Sequence, residues 1–524
     1  MTAPSTNARI KTKVLRGRAG VASIATACLW LLVALLWPGR SGGYAQQVLD
    51  FHLRGTPDRS GLLGNGVTDL LWWEGKLFAG TGFGLNVTAD LGESWQQFSP
   101  DDYGGKGGVS AMAIAPDGTL WIATGYDTTI VDNGNRQNLS VGGGLRVLDP
   151  ATGSWRFIPQ PKDARSDTLG GMKPTTTTVQ NITFDIALLD TQVWIASFGG
   201  GIRRSLDGGQ SWEVITTDGL PFSALDHLNH RGFSLLAENG NIWVGTAEGI
   251  SVSRDGGRTW QRFTHRNQSE PISGNWVIAL AYNPWDGSVW AATLRAEDTT
   301  EFNAISRTRN GGQSWEVYLA DELSDGTFPR AIAFYKSTVY VATEKGVYKS
   351  VDDGLSWFRF PKIVDSVSGE SLETRRFFSL ATHPSDAGDD SAHQLWVGSS
   401  DGLATTRDNG YTWTVFRSLV STRTRTEPAV YAYPNPYSPT RHDVLRFQYH
   451  VEEATEVVID IFNFAMEKVV TIRKMEPGPA ENSFDRSAKW DGRDSNRRMV
   501  DNGVYFFRCR IGDQVSWGKI VVVN

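Results

Sequence analysis

The sequence predicts an all-β fold, a seven-bladed β-propeller followed by a small β-sandwich. Three observations predict it. A Trp-terminated turn, Ser/Thr-x-Asp-x-Gly-x-Ser/Thr-Trp, recurs through the middle of the chain. An apolar strand that ends in small residues precedes every copy. Beyond residue 45 there is no sustained apolar stripe at helical period, whereas 20 Trp, 56 Gly and many β-branched residues suit strands and tight turns.

In chain order, residues 1–45 read as an export signal. Arg9, Lys11, Lys13, Arg16 and Arg18 precede an apolar run, Ala19 to Trp37, and Gly43-Tyr44-Ala45 offers small residues before Gln46. The run is long for a signal, so cleavage and retention as an anchor are both open. This segment holds six of the 51 basic residues and none of the 57 acidic ones. The remainder therefore carries 45 against 57, a net charge of −12. Such a balance argues against nucleic acid as a partner. Cys28 lies in the signal and Cys509 stands alone, so the exported chain has no internal disulfide.

After an N-terminal segment, 46–65, the repeats fill 66–420. Clean copies of the turn carry Asp90 and Trp95, Asp207 and Trp212, Asp255 and Trp260, Asp352 and Trp357, and Asp408 and Trp413. A sixth has Asn310 in place of Asp, with Trp315. A degenerate seventh runs from Asp149 to Trp155. Upstream strands such as Val193-Trp194-Ile195-Ala196-Ser197 and Ile242-Trp243-Val244-Gly245-Thr246 recur seven times, each after another short apolar strand. Four strands per unit at a regular repeat is the pattern of a propeller blade. The turn explains itself: Asp accepts backbone N–H groups, Gly takes positive φ, and Trp buries a ring between sheets.

These copies resemble the Asp-box (BNR) repeats of sialidases, xyloglucanase-type glycosidases, sortilin-type receptors and photosystem assembly factors. The resemblance implies that the boxes are structural turns on the face away from the binding site. A sialidase would need three substrate-gripping arginines, a Tyr nucleophile and an Arg-Ile-Pro segment. The nearest match, Arg156-Phe157-Ile158-Pro159, is out of register.

Residues 421–430 read as a linker, with Arg and Thr alternating before Pro428. Residues 431–524 read as a β-sandwich with strands at Val444–Tyr449, Val457–Phe462, Val504–Arg510 and Gly518–Val523. Tyr433-Pro434-Asn435-Pro436-Tyr437, Trp490-Asp491-Gly492 and Asn502-Gly503-Val504-Tyr505-Phe506 resemble the Ig-like domain of flagellar hook-capping proteins and, equally, the C-terminal sorting domains of type IX secretion cargo. The second resemblance implies the type IX secretion machinery as a partner and an outer-membrane surface or extracellular location. A generic Ig-like spacer is the alternative.

In a four-stranded blade, the loops between strands two and three and between successive blades share the face opposite the boxes. The long insertions, 125–143, 158–180, 216–232, 264–275, 294–303, 319–330 and 361–376, fall on that face. Candidate ligand-binding residues there are Tyr103, Tyr126, Asp132, His227, His230, Arg231, Arg330 and Arg375. Asp127, Asp218, Asp226 and Glu297 are candidate carboxylates for glycoside hydrolysis, which needs a pair across a cleft; Asp298, Glu322 and Asp325 complete the set. His227 and His230 lack a third ligand at a recognised spacing, so no metal site is expected, nor any cofactor. The sequence thus predicts a monomeric, exported propeller that binds a polysaccharide or protein through its loop-rich face. A secreted glycoside hydrolase is the alternative. A sensor of two-component type is disfavoured, since neither a span nor a kinase follows the repeats.

Overall fold

A computed structural model describes residues 61–132, 135–163, 176–384, 393–418, 430–440, 442–451, 453–477 and 486–523. Residues 1–60, with the expected export signal, and 419–429, with most of the expected linker, lie outside these residues. The described chain is a β-propeller followed by a two-sheet module, and its only helical element is one turn of 3-10 helix, Leu228–His230.

Seven four-stranded antiparallel sheets span Val67 to Phe416, each built from four strands in chain order. The first, innermost strands are Val67–Trp73, Gly108–Ile114, Thr183–Leu189, Gly232–Glu238, Trp276–Tyr282, Pro329–Tyr335 and Phe377–Pro384. We number the sheets 1 to 7 in that order. The second strands are buried on both faces, which is why they read as unbroken apolar runs rather than alternations. Fourth strands are three or four residues long in sheets 1–5 and 7, start at or just after the motif Trp, and are the most exposed of each set.

Six turns share one hydrogen-bond design. In sheet 4, Ser253 Oγ donates to Asp255 Oδ1 (2.8 Å) and accepts from Gly257 N (2.7 Å), and Asp255 Oδ1 accepts from Thr259 N (2.9 Å). Thr259 Oγ1 donates to Asp255 Oδ2 (2.6 Å). Where Asn310 replaces Asp, the last bond reverses: Asn310 Nδ2 donates to Ser314 Oγ (2.9 Å) and the rest of the turn is unchanged. The turn glycine has φ +88° at Gly257, and a Cβ there would lie 2.5 Å from Trp194 of sheet 3. Conformation and close approach both demand glycine.

The degenerate seventh copy lacks the shared design. Asp149 Oδ1 accepts from Ala151 N (2.8 Å), and Gly153 N donates to Asp149 O (2.8 Å). Asp149 and Trp155 stand six positions apart against five in the other copies, and Gly153 follows Asp149 by four positions rather than two, so the segment closes as an ordinary hairpin turn. Only Trp155 keeps its place, packed beside Phe98 and Tyr103 of the preceding sheet and its connection.

That Trp position is what joins the sheets. Each motif Trp shares a core cluster with the second-strand aromatic of the preceding sheet: Trp155 with Phe78, Trp212 with Trp121, Trp260 with Trp194, Trp315 with Trp243, Trp357 with Trp290, and Trp413 with Tyr340. Trp95 of sheet 1 packs with Trp396 of sheet 7 and closes the ring. Closure is by packing: both sheets draw their strands from their own stretch of chain. Asn65 adds backbone and side-chain bonds to Gly402 N and Ser418 N (both 2.7 Å). Residues 47–54, considered as an added outer strand, lie outside the described residues.

Beyond the ring, strands Tyr431–Tyr433, Leu445–Tyr449 and Arg486–Trp490 form one sheet. Lys468–Glu476, Thr455–Phe462, Gly503–Ile511 and Gln514–Val522 form a second, in that spatial order. They enclose a separate core around Phe447, Tyr449, Ile459, Ile461, Phe507 and Cys509. Lys468–Glu476 and Arg486–Trp490 were not expected from sequence: the first carries charges at Lys468, Arg473, Lys474 and Glu476, and the second is a short run whose Arg486, Ser487 and Lys489 read as polar surface although four of its five residues are buried.

Candidate binding face and central channel

All seven innermost strands carry a bulge at the same position, which leaves one residue unpaired in each: Thr68, Ser110, Phe184, Phe233, Ile278, Arg330 and Phe378. A bulge re-aims a side chain. Repeated seven times, it turns these seven residues to one axial cavity of about 270 Å³. The ring is two-sided. Phe184 and Phe233 stack at 5.9 Å and Ile278 extends that apolar side, whereas Thr68 and Ser110 are polar and Arg330 sits between Ile278 and Phe378.

Two carboxylates reach the same cavity. Asp69 accepts from Leu70 N and Met112 N (both 2.8 Å), and Asp185 from Ile186 N (2.8 Å) and Leu235 N (2.7 Å). Each therefore staples its own strand to the innermost strand of the next sheet. Burial pushes both up to about 7, against the lowering effect of those N–H donors. Sequence reasoning missed them. The available signal was an acidic residue in mid-strand, Val67-Thr68-Asp69-Leu70 and Thr183-Phe184-Asp185-Ile186.

The candidate residues fall into three groups. Some are structural. Tyr103 is buried, its hydroxyl donating to Gly107 O (2.9 Å) and its carbonyl accepting from the buried Arg146 (3.0 Å), which removes it from the accessible face. His230 is buried too: its Nδ1 accepts from Ser223 N (2.9 Å), which leaves Nε2–H to donate to Asp218 Oδ1 (3.1 Å). Asp218 also accepts from Asn229 (3.2 Å) and Leu220 N (3.0 Å). Burial opposes its charge, but these donors hold it below the usual range. Arg231 is spent on Ala224 O (2.7 Å) and Leu225 O (3.2 Å), Asp226 on Ser223 Oγ (2.9 Å), and His227 packs edge-on to His230. The 216–232 loop is thus held by its own polar side chains. Residues 125–143 correct the expectation of an irregular insertion, because strands Leu120–Asp132 and Asn135–Leu148 continue as a long hairpin. Half-buried Tyr126 and Asp127 sit on it, Asp127 accepting from Ser140 Oγ (2.7 Å). Asp132 ends its first strand, where side chains lie outside the described residues.

A second group is paired at the surface. Arg266 holds Asp298, and Lys345 holds Asp325, in both cases keeping the carboxyl well below its usual range. Glu297 and Glu322 are exposed. The third group faces cavities. Arg330 pairs with Glu344 through Nη2, whereas its buried Nε and Nη1 have no partner among the described residues. Desolvation pulls its pKa down. Exposed Arg375 lines a separate hollow of about 370 Å³ with Lys345, Arg359 and Lys362. Neither Arg359 nor Arg375 forms an ion pair among the described residues.

One predicted ligand loop has another role. Residues 361–376 receive the C-terminal module. Buried Arg446 bridges Asp401 Oδ2 (2.6 Å) and Glu370 Oε2 (3.3 Å), Lys489 meets Glu373 (2.5 Å), Lys474 meets Glu370 (3.4 Å), and Arg486 donates to Ser368 O (3.2 Å). Burial works against the Glu373 charge, yet Lys362 and Lys489 bring it down to about 2. The module is therefore locked to sheets 6 and 7 on the loop-rich side. No sequence signal marks this contact, since its charges look like ordinary outward positions.

No family model matches the chain, and no curated protein matches it. Among solved structures it is similar to PorZ, a bacterial surface component of the type IX secretion system of Porphyromonas gingivalis (15% identity, 88% of this chain and 60% of that one, TM-score 0.43). It is also similar to a GH74 enzyme of Niastella koreensis (13%, 90% and 75%, 0.46) and to YCF48 of Cyanidioschyzon merolae (15%, 68% and 100%, 0.40). The chain thus spans about three fifths of the PorZ structure it matches.

Proposed function

We propose that this is an exported Asp-box propeller of seven blades, over residues 66–420, that binds an anionic polysaccharide or protein segment on its loop-rich face. Residues 431–524 then serve as an Ig-like sorting or surface-attachment module. The observation that carries the reading is the hollow lined by Arg359, Arg375, Lys345 and Lys362. Its cations come from one sheet and its flanking loop, not from the repeat; Lys345 and Lys362 are paired with Asp325 and Glu373, whereas Arg359 and Arg375 have no ion pair among the described residues. Cations of this kind attract carboxylate and phosphate groups. Export after removal of residues 1–45, and sorting through the type IX machinery, complete the proposal.

The test is a binding panel of acidic and neutral polysaccharides and acidic peptides, with reducing ends assayed in parallel. Preferential binding of acidic ligands that falls about tenfold in Arg375→Ala supports the reading. Hydrolysis that vanishes in Asp127→Asn or Glu297→Gln would replace it with glycoside hydrolysis. For the sorting role, deletion of residues 428–524 is expected to trap the protein in the periplasm. Normal surface display of the truncated chain would refute that role.

A further inference from the structure

The four-stranded sheet of the C-terminal module buries one face and shows the other to solvent, and the solvent face has an unusual make-up. Three cross-strand rows define it: Phe462, Phe506 and Lys519; Asp460, Arg508 and Trp517; Val458, Arg510 and Val515. Val458 and Asp460 are covered by their longer neighbours. Residues on one face of neighbouring strands touch. Phe462 and Trp517 stack at 5.7 Å, the Arg508 guanidinium lies 5.7 Å from both ring centres, and Phe506 continues to Phe464 at 6.4 Å. Trp517 is 48% exposed and Phe464 77%. Four aromatics in a chain of contacts on a solvated sheet form a patch, and exposed apolar patches of this kind mark interaction sites.

Charge narrows the partner. The face, its edge and the adjoining turn carry Lys468, Arg473, Arg508, Arg510 and Lys519 against Glu456, Asp460 and Glu467, five cations against three carboxylates in a chain whose net charge is −6. Asp460 is already neutralised, accepting from Arg508 (2.8 Å) and Thr471 (2.6 Å), and Glu456 is paired with Arg473 (3.1 Å). What remains is cationic. Its shape narrows the partner further. The aromatic chain runs off the sheet onto the turn between strands Thr455–Phe462 and Lys468–Glu476, where Phe464, Ala465 and Met466 are all exposed. An apolar tip beyond a belt of Trp, Lys and Arg matches a bilayer interface. There apolar groups enter the acyl boundary and cations meet phosphates. A flat acidic protein surface offers nothing for the tip to enter.

We propose that this face docks the C-terminal module on a bilayer surface rich in anionic lipid, with the 464–466 turn inserted. The proposal rests on the surface-attachment part of the function proposed above, and it supplies a physical means of attachment. The face lies away from the contacts to Glu370, Glu373 and Asp401, so docking leaves the propeller lock intact.

The experiment uses the chain from Gln46 onward, which keeps every described strand. It is sedimented with vesicles of phosphatidylcholine alone or with about a third phosphatidylglycerol. Expected is binding to the anionic vesicles at least about tenfold tighter than to neutral ones, weakening as salt rises. Binding should fall about tenfold or more in Phe464→Ser/Trp517→Ser and in Arg510→Glu/Lys519→Glu, at unchanged melting temperature. A spin label at Ala465→Cys provides a measurement independent of those variants, and it should report immersion in anionic vesicles. Equal or absent binding to both vesicles, unaltered binding by the variants, or a label that stays in water would overturn the proposal. So would capture by an acidic protein or polysaccharide with no vesicle preference. If vesicle binding fails while deletion of 428–524 still blocks export, only this proposal falls and the sorting role stands.

Discussion

The two faces of the ring are built from opposite kinds of chemistry. On the turn side, six boxes repeat one bond set, and every carboxylate is consumed by its own turn. Donation by Ser94, Ser211 and Ser356 holds Asp90, Asp207 and Asp352 down at about 2. On the loop side little repeats. Arg330 keeps two buried nitrogens without partners among the described residues, Arg375 faces a hollow, and a second module is clamped across residues 361–376. Chemistry that recurs in every blade serves the blade, and a polar group found once needs another reason. The difference directs attention to the loops while showing that many loop residues, His230 and Asp218 among them, are spent on holding the loop itself.

The sharpest break in this contrast comes at the clamp. Asp401→Ala leaves Arg446 and Arg417 facing each other without their shared carboxylate, and breaking a buried pair of this kind costs about 3–5 kcal/mol. Denaturant unfolding should show the module melting separately from the ring, and proteases should cut near residue 430. A single cooperative transition would show that the clamp does not hold the two together.

Acid and base should separate the clamp from the channel. Glu373 is lowered from 4.5 to about 2, so its contribution is present above about pH 4.5 and is lost as pH falls through 2. Asp69 and Asp185 are raised from 3.8 to about 7. Their contribution is complete below about pH 4 and disappears as pH rises through 7. Calorimetry across pH 2–8 should therefore show the module loosening in acid. The ring of Asp69→Asn/Asp185→Asn should have a flatter stability profile than wild type between pH 4 and 7.

The boxes should give a smaller effect. Asp408→Ala removes a cap that ties Thr406, Thr412 and the turn backbone, and by analogy with helix caps it costs about 1 kcal/mol. Asp149→Ala, in the turn that lost the design, should cost less, and chemical denaturation of the two variants compares them directly. The smallest stability effect is expected at Arg375→Ala, within about 0.5 kcal/mol of wild type. Its loss should appear in ligand binding instead. A large stability change there would make Arg375 a scaffold residue.

Much of the ring was legible because its signals are local. Small-residue finishes, aromatic second-strand positions and Trp-terminated turns all lie within a few residues of one another, and the four strands of each unit follow. The degenerate turn was legible as degenerate, because Asp, Gly, Ser and Trp survive at Asp149–Trp155 while the spacing that closes the bonds does not. Tyr103 misled. A Tyr in a polar connection looks like a ligand contact, but Arg146, 43 residues away, takes its carbonyl and helps bury it. In the module, the alternation of Arg446, Gln448, Ser487 and Lys489 reads as a solvated edge, whereas those side chains meet Glu370, Ser371 and Glu373.

The sequence alone determined that this chain makes strands, how many Trp-terminated turns it repeats, and that most box carboxylates serve those turns, since each of those bonds joins neighbours within eight residues. Tertiary structure decided the rest. Seven equivalent bulges become a channel only when the ring closes and Trp95 packs on Trp396. Asp69 becomes a staple only when Met112 of the next sheet arrives. The loop at 361–376 becomes a socket only when Arg446 is carried to it. Burial and pairing across such separations depend on what the completed fold brings together, and no local pattern contains that information.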